Sequence, residues 1–332
     1  APAGGAAAKP ADDSTLSRWW STLGDPLLTS LEERALKANL DLRTAETNIR
    51  QARANRESAR ADLLPSYTAS ASGNGSRSST RQMGELGQSY SASMNASWEP
   101  DFFKKLARTA AAYDIDIEAA QENLRNTLVS LTAELALNYV DLRNYQAQLA
   151  ITRANLAKYE DTYEMTRAKF ESGLSTGLDV RQAMQTVHST RAGIPSLETS
   201  IRKASNAIAV LLGERPGAVD AELAEVKPVP SIPAEVAVGI PADLVRRRPD
   251  IRAAERQFAA QSVRVGVARA NLLPSFTLTG TFNFNAANVW NLLTPATLAS
   301  TLAGSAQQTL FNRKRLREQV VLQNIALEQY EI

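Results

Sequence analysis

Polar and apolar positions alternate strictly in three short stretches of the chain. In "PSYTASASG", Tyr67, Ala69 and Ala71 fall on one side, and Ser66, Thr68, Ser70 and Ser72 on the other. In "SYSASMNASW", Tyr90, Ala92, Met94, Ala96 and Trp98 oppose Ser89, Ser91, Ser93, Asn95 and Ser97. "FTLTGTFNFN" sets Phe276, Leu278, Phe282 and Phe284 against Thr277, Thr279, Thr281 and Asn283. A period of two predicts strands, and a weaker fourth is expected near Leu302 to Leu310. The expected hairpins span 66–98 and 275–311. Their polar faces are Ser, Thr and Asn without a charge. Each strand is about ten residues long, which crosses a bilayer when tilted.

Elsewhere the spacing is helical. One helix is predicted from Pro26 to Leu64, ended by Pro65, which lacks a backbone N–H and forces the preceding residue toward extended geometry. From Asp101 to Ser172 no proline intervenes, and Leu128, Leu135, Leu142, Leu149, Leu156, Tyr163 and Phe170 recur every seventh position. Ile117, Leu124 and Leu131 form a second series. Such a heptad seam predicts a coiled-coil helix, on the order of 100 Å long at 1.5 Å per residue. "ESGLSTGLD" interrupts it, with Gly173 and Gly177 expected to supply backbone freedom at a tight turn. A returning helix then runs from Leu178 to Leu212, with Pro195 expected to kink it and Gly213 to stop it.

The chain also repeats itself. "ARADLLPSY" starts at Ala59 and "ARANLLPSF" at Ala268, an offset of 209 (268 minus 59). The same offset relates Asp41-Leu42-Arg43 to Asp250-Ile251-Arg252, and Phe102 to Phe311. A fixed offset means that the intervening elements kept their total length, which predicts a duplication. The expected organisation is an extended N-terminal segment 1–25, a first repeat 26–213 with helical hairpin 101–213 and tip 172–179, a Pro-rich linker 214–240, and a second repeat 241–332. The counterpart of Gly213 would fall near 422 (213 plus 209), so the second repeat is expected to be incomplete.

Composition narrows the chemistry. The 332 residues are 44% hydrophobic but only 6% aromatic, a mixture suited to long helices. A net charge of +2 makes no case for a nucleic-acid partner. With no cysteine, there are neither disulfides nor thiolate sites. No apolar run is long enough for a transmembrane helix. His188, the single histidine, reads as a solvated helix residue. In "RRRPD" (246–250) the arginines would close a short helix begun near Pro241, while Pro249 and Asp250 open the next. No motif for catalysis, cofactor or metal is visible.

Four ten-residue strands cannot close around a lumen, because the smallest membrane barrels have eight. Open strand edges cannot face lipid, since unpaired backbone groups there cost several kcal/mol each. Membrane strands would therefore have to be pooled between chains. The segments "WWSTLGDPLLTSLEERAL", "IPADLVRRRPDIRAAE", "GVARANLLPSFTLTG" and "FESGLSTGLDV" resemble the TolC-type outer-membrane efflux family, in particular the NodT-like lipoproteins of RND-type efflux systems. The resemblance implies a mixed α and β fold with a duplicated helical-hairpin and β-hairpin protomer. It also implies a homotrimer with a 12-stranded outer-membrane barrel and a long periplasmic α-helical barrel. The implied partners are a periplasmic membrane-fusion adaptor protein, an inner-membrane RND-type transporter and outer-membrane lipid. Ser172, Gly173, Leu174, Ser175, Thr176 and Gly177 would dock the adaptor, and Asp179 would belong to a gate. Tyr67, Tyr90, Ala92, Met94, Phe276, Leu278 and Phe282 would face lipid. The acylated cysteine that the family carries near its mature N-terminus is missing from this sequence. The rival expectations are a type I protein-secretion duct and a soluble coiled-coil scaffold.

Overall fold

The computed structural model describes residues 18–76, 87–230, 246–311 and 313–330. The described elements fall into two compact units, Ala1–Glu46 with Leu124–Arg248, and Thr47–Asn123 with Pro249–Ile332.

In the first unit, a 3-10 turn at Trp19–Leu23 precedes α1 (Pro26–Ala38). The turn replaces part of the extended segment expected there. Asp25 caps α1 by accepting hydrogen bonds from the Leu27 and Leu28 amides, and Pro26 fills the first helical position, where an N–H would go unused. The single helix expected from Pro26 to Leu64 is in fact two. Asn39 has extended backbone, and its Oδ1 accepts from the amides of Asp41 and Leu42, so a second helix, α2 (Leu40–Ala61), starts anew. The Asn39 amide group also donates to the Leu211 carbonyl at 2.9 Å, which fixes the break against another element.

The central element is α3 (Lys105–Glu171), 67 residues long and about 100 Å at 1.5 Å per residue. A returning helix, α4 (Gly177–Leu211), continues through Pro195. It ends as expected at Gly213, whose φ is +70°. The Gly213 amide donates to Val210 and that of Glu214 to Ala209, the paired bonds of a Schellman stop. A β-carbon at Gly213 would lie 2.6 Å from the Ala38 carbonyl oxygen, so the position needs glycine for space as well as for φ. Leu28, Leu31 and Ala35 of α1 pack with Leu131, Leu135, Tyr139 and Leu142 of α3 and Ile208 of α4.

The heptad seam is thus buried only in part. Leu135 and Leu142 are fully buried, Leu149, Leu156 and Tyr163 are half-buried, and Leu128 and Phe170 are exposed. A seven-residue repeat drifts by about 20° per heptad around a straight helix, which turns the ends of the list off the packed stripe. The packed stripe also admits polar residues that a heptad does not foresee. Buried Arg143 donates to the carbonyl of Glu225 (2.6 Å), to Gln146 (2.8 Å) and to the Tyr139 hydroxyl (3.2 Å). Tyr139 in turn donates to the Asp25 carboxylate (2.6 Å), so one chain of bonds ties the α1 cap to the segment that follows α4. Burial, followed by the bond to Asp25, pushes the Tyr139 hydroxyl up to about 12.

The second unit holds one antiparallel sheet, ordered β1 (Ser66–Ser76), β2 (Gly87–Trp98), β3 (Ser275–Ala286) and β4 (Leu298–Gln307). The fourth strand begins and ends several residues earlier than expected, because its alternation is blurred by Ala and Gly. Helix α5 (Pro249–Ala270) leads into β3 and α6 (Lys314–Glu328) follows β4. The expected short helix at Pro241 lies largely outside the described residues.

The two "LLPS" turns are equivalent bond for bond. Leu63 and Leu64 donate back to Arg60 and Ala61, and Leu272 and Leu273 to Arg269 and Ala270. The Leu63 carbonyl accepts from the Trp98 indole, and the matching Leu272 carbonyl accepts from Arg313. Ion pairs line the helices of this unit: Arg56 and Arg60 with Asp114, Arg264 with Asp116, Arg256 with Glu118, and Arg252 with Glu122.

Candidate functional site

Two sets of residues carry the functional expectations, one in each unit. The first is the sheet. Residues directly opposite each other in a ladder share a face, so the register decides which side chains lie together. Tyr67 faces Ala96, Met94 lies between Ala69 and Phe282, and Ala92 lies between Ala71 and Phe284. Tyr90 lies between Gly73 and Ala286, Leu278 between Trp98 and Gly304, and Phe276 faces Ala306. All seven residues expected to contact lipid therefore share one face, and a one-residue slip in any ladder would have scattered them.

The other face collects Ser70 opposite Ser93, Ser72 opposite Ser91, and Thr281 opposite Thr301, each pair bonded through its hydroxyls. Asn95 faces Thr281 across the middle ladder. Apolar side chains at this sheet are open to the surroundings, Tyr67 at 66% and Phe282 at 54% exposure. Strands β1 and β4 are the outer edges of the described sheet.

The second set is the tip between α3 and α4. Gly173 has φ +75°, its amide donates to Phe170, and that of Leu174 donates to Lys169. This is the same Schellman stop as at Gly213. In that motif an apolar residue in the place of Leu174 often folds back onto its helix. Here it stands 79% exposed. Ser172 bonds its own helix through the Ala168 carbonyl.

Thr176 caps α4 in a reciprocal capping box with Asp179. Asp179 Oδ2 accepts from the Thr176 amide (2.9 Å), the Thr176 hydroxyl (2.7 Å) and the Ser175 hydroxyl (3.0 Å). Those bonds, the backbone one foremost, hold its carboxyl below the usual range. All three converge on Oδ2 and leave Oδ1 outside the cap. Gly177 departs from expectation. It is the first residue of α4, its φ is not positive, and an added β-carbon would rest at 3.7 Å from the Phe170 ring, an ordinary contact. The backbone freedom of the tip comes from Gly173 alone. The capping box was readable in the sequence as Thr-x-x-Asp within "STGLD".

No helix among the described residues is long and apolar enough to cross a membrane, which leaves the sheet as the element with bilayer dimensions. No group of metal-ligating side chains occurs among the described residues either. The sequence profile of the outer membrane efflux protein family matches residues 31–214, more than half of the chain. The chain belongs to that family.

The outer membrane efflux proteins are transport channels, and membership puts the chain in the outer membrane of a Gram-negative bacterium with a periplasmic extension. Nodulation protein T of Rhizobium leguminosarum bv. trifolii is 37% identical over 295 residues, covering 85% of this chain and 62% of that protein. The pyoverdine export outer membrane protein OpmQ of Pseudomonas aeruginosa is 33% identical, with 84% and 60% covered. The chain thus spans about 60% of the length of these two curated relatives. The solved outer-membrane channel OprN superposes with a TM-score of 0.85 at 31% identity, over 99% of this chain and 76% of that one. The fold is the TolC-like fold of these efflux proteins.

Proposed function

We propose that this protein is the outer-membrane exit duct of a tripartite efflux pump, passing small molecules from a periplasmic assembly to the exterior. The observation that carries the reading is the register of the sheet. It gathers every large apolar strand residue on one face and an uncharged hydroxyl and amide surface on the other. Such a sheet fits a wall between lipid and water. Tyr67, Tyr90, Ala92, Met94, Phe276, Leu278 and Phe282 contact the hydrocarbon, and Ser70, Ser91, Ser93 and Thr281 line an aqueous lumen.

The two outer edges require partners in a bilayer. Three copies give twelve strands, wide enough for a water-filled pore. The helical hairpin extends into the periplasm, and its tip docks a membrane-fusion adaptor that couples the duct to an inner-membrane RND-type transporter. Leu174 supports this, because an apolar side chain exposed at a tight tip suits a partner surface. Asp179 serves the gate through Oδ1, which the cap leaves available to a neighbouring hairpin.

The test uses the full-length protein in a strain lacking its own copy. Leu174→Asp is expected to abolish drug resistance and adaptor cross-linking while trimer and membrane insertion persist. Asp179→Ala is expected to raise the conductance of the isolated channel. Wild-type resistance and cross-linking in Leu174→Asp would overturn the tip assignment.

A further inference from the structure

The segment between β3 and β4 is unlike an ordinary surface loop. From Ala270 to Asn312 the sequence contains no charged residue, and within it "NVWNLL" (288–293) joins the two strands. The corresponding loop of the first hairpin, between Ser76 and Gly87, carries Arg77, Arg81 and Glu85. The β3–β4 loop lies at the end of the sheet opposite all four helical junctions, since α2, α3, α5 and α6 each adjoin the other strand ends.

Its polar groups are turned on one another. The Asn291 amide donates to Asn288, Leu292 to Val289 and Thr297 to Thr294. The Thr297 hydroxyl contacts the Leu292 and Thr294 carbonyls at 2.6 and 2.8 Å, and that of Thr294 contacts Asn291 at 3.0 Å. Its apolar groups are turned outward. Trp290 is 87% exposed, and Leu293 borders a shallow groove on the apolar face beside Ala71, Ala92, Met94 and Phe284. A backbone folded partly onto itself beneath outward apolar side chains suits a boundary between water and an apolar medium.

We propose that this loop is a membrane-interface anchor, with Trp290 seated at the headgroup level of the outer leaflet and Leu293 among the outermost acyl segments. The inference rests on the reading that the apolar face meets lipid. Dimensions agree with it. Tyr90 and Trp98, the first and last large apolar residues of β2, lie roughly 27 Å apart along the strand at about 3.4 Å per residue. At a tilt near 40° that is ~20 Å across the membrane, short of the ~25 Å apolar band of outer-membrane barrels. The loop extends the band on the outer side, as Tyr67, Trp98 and Phe276 close it on the inner. Indole suits this place because its ring is apolar while its N–H reaches a polar partner.

The experiment is tryptophan quenching of the full-length protein in phosphatidylcholine vesicles brominated either near the headgroup or at mid-chain. Trp290→Phe removes no packing, and it is expected to abolish a component of emission quenched by the shallow label while leaving mid-chain quenching unchanged. Phe282→Trp, in the middle of the apolar face, is expected to add emission quenched by the mid-chain label. If Trp290→Phe leaves shallow quenching unaltered while Phe282→Trp gains its component, the anchor is refuted and the orientation of the sheet stands. If the Phe282→Trp component is absent as well, both readings fail.

Discussion

Glu32 is a side chain whose burial has a pH signature large enough to measure. It sits on α1 among Leu28, Leu31 and Ala35, fully buried, and neither carboxyl oxygen has a hydrogen-bond partner among the described residues. Desolvation disfavours the charged form, and with no cation or donor to offset it, burial pushes the carboxyl from 4.5 up to about 8. In the unfolded chain the group ionises near its ordinary value, so between those two pH values the folded state binds more protons than the unfolded one. Stability therefore falls as pH rises through that window, by about 1.4 kcal/mol per unit while the difference in protonation is complete. From 4.5 to 8 the loss reaches at most about 5 kcal/mol. Glu32→Gln keeps the shape and removes the ionisation. The thermal midpoint of the full-length protein in detergent, followed by helical circular dichroism from pH 4 to pH 9, is the assay. The variant is expected to match the parent near pH 4 and to exceed it increasingly above pH 5, with the gap levelling off past pH 8. Parallel pH profiles for parent and variant would refute the assignment of the slope to Glu32.

Two further outcomes follow from the packing and the register. Leu142→Ala deletes a fully buried side chain from the α1–α3–α4 core and is expected to cost about 2–5 kcal/mol, seen as a lowered thermal midpoint; an unchanged midpoint would contradict the burial. Arginine at Ala92 or Leu278 is expected to cost roughly 2–4 kcal/mol near the bilayer midplane, whereas arginine at Ser91 is tolerated in the lumen. Heat-modifiable membrane assembly on gels compares them, and equal loss from both faces would contradict the orientation.

Much of this architecture was legible in the sequence because two strong periodicities coincide with it. Alternation over Tyr90 to Trp98 specified a face, and the sheet register then placed that face against Phe282 and Phe284 of the second repeat. The "LLPS" duplication specified where each helix gives way to a strand, and the two turns match down to their carbonyl partners. What periodicity could not show are the points where a single polar side chain overrides the pattern. Asn39 divides a helix whose apolar spacing runs on without interruption, because its side-chain oxygen takes over the first amides of the second helix while its amide group is held by the Leu211 carbonyl. Arg143 enters the core beside Leu142 because Tyr139 and Gln146 of its own helix and the distant Glu225 carbonyl all accept from it, and no local spacing encodes the last of these. At the tip, glycine content suggested two flexible positions. Gly173 needs a left-handed backbone and Gly177 does not, because the Thr176–Asp179 cap has already started the helix.

The central claim is that the hydroxyl face of the sheet lines a water-filled pore and the apolar face meets lipid. Single cysteines at Ser93 and at Ala92, adjacent positions on opposite faces of β2, are compared in a full-length channel cleared of any other reactive thiol, in a planar bilayer with a charged, membrane-impermeant thiol reagent added. The account predicts that the reagent changes single-channel conductance in Ser93→Cys and leaves Ala92→Cys unaltered. Modification of Ala92→Cys with no effect on Ser93→Cys, or an equal response from both, would contradict it.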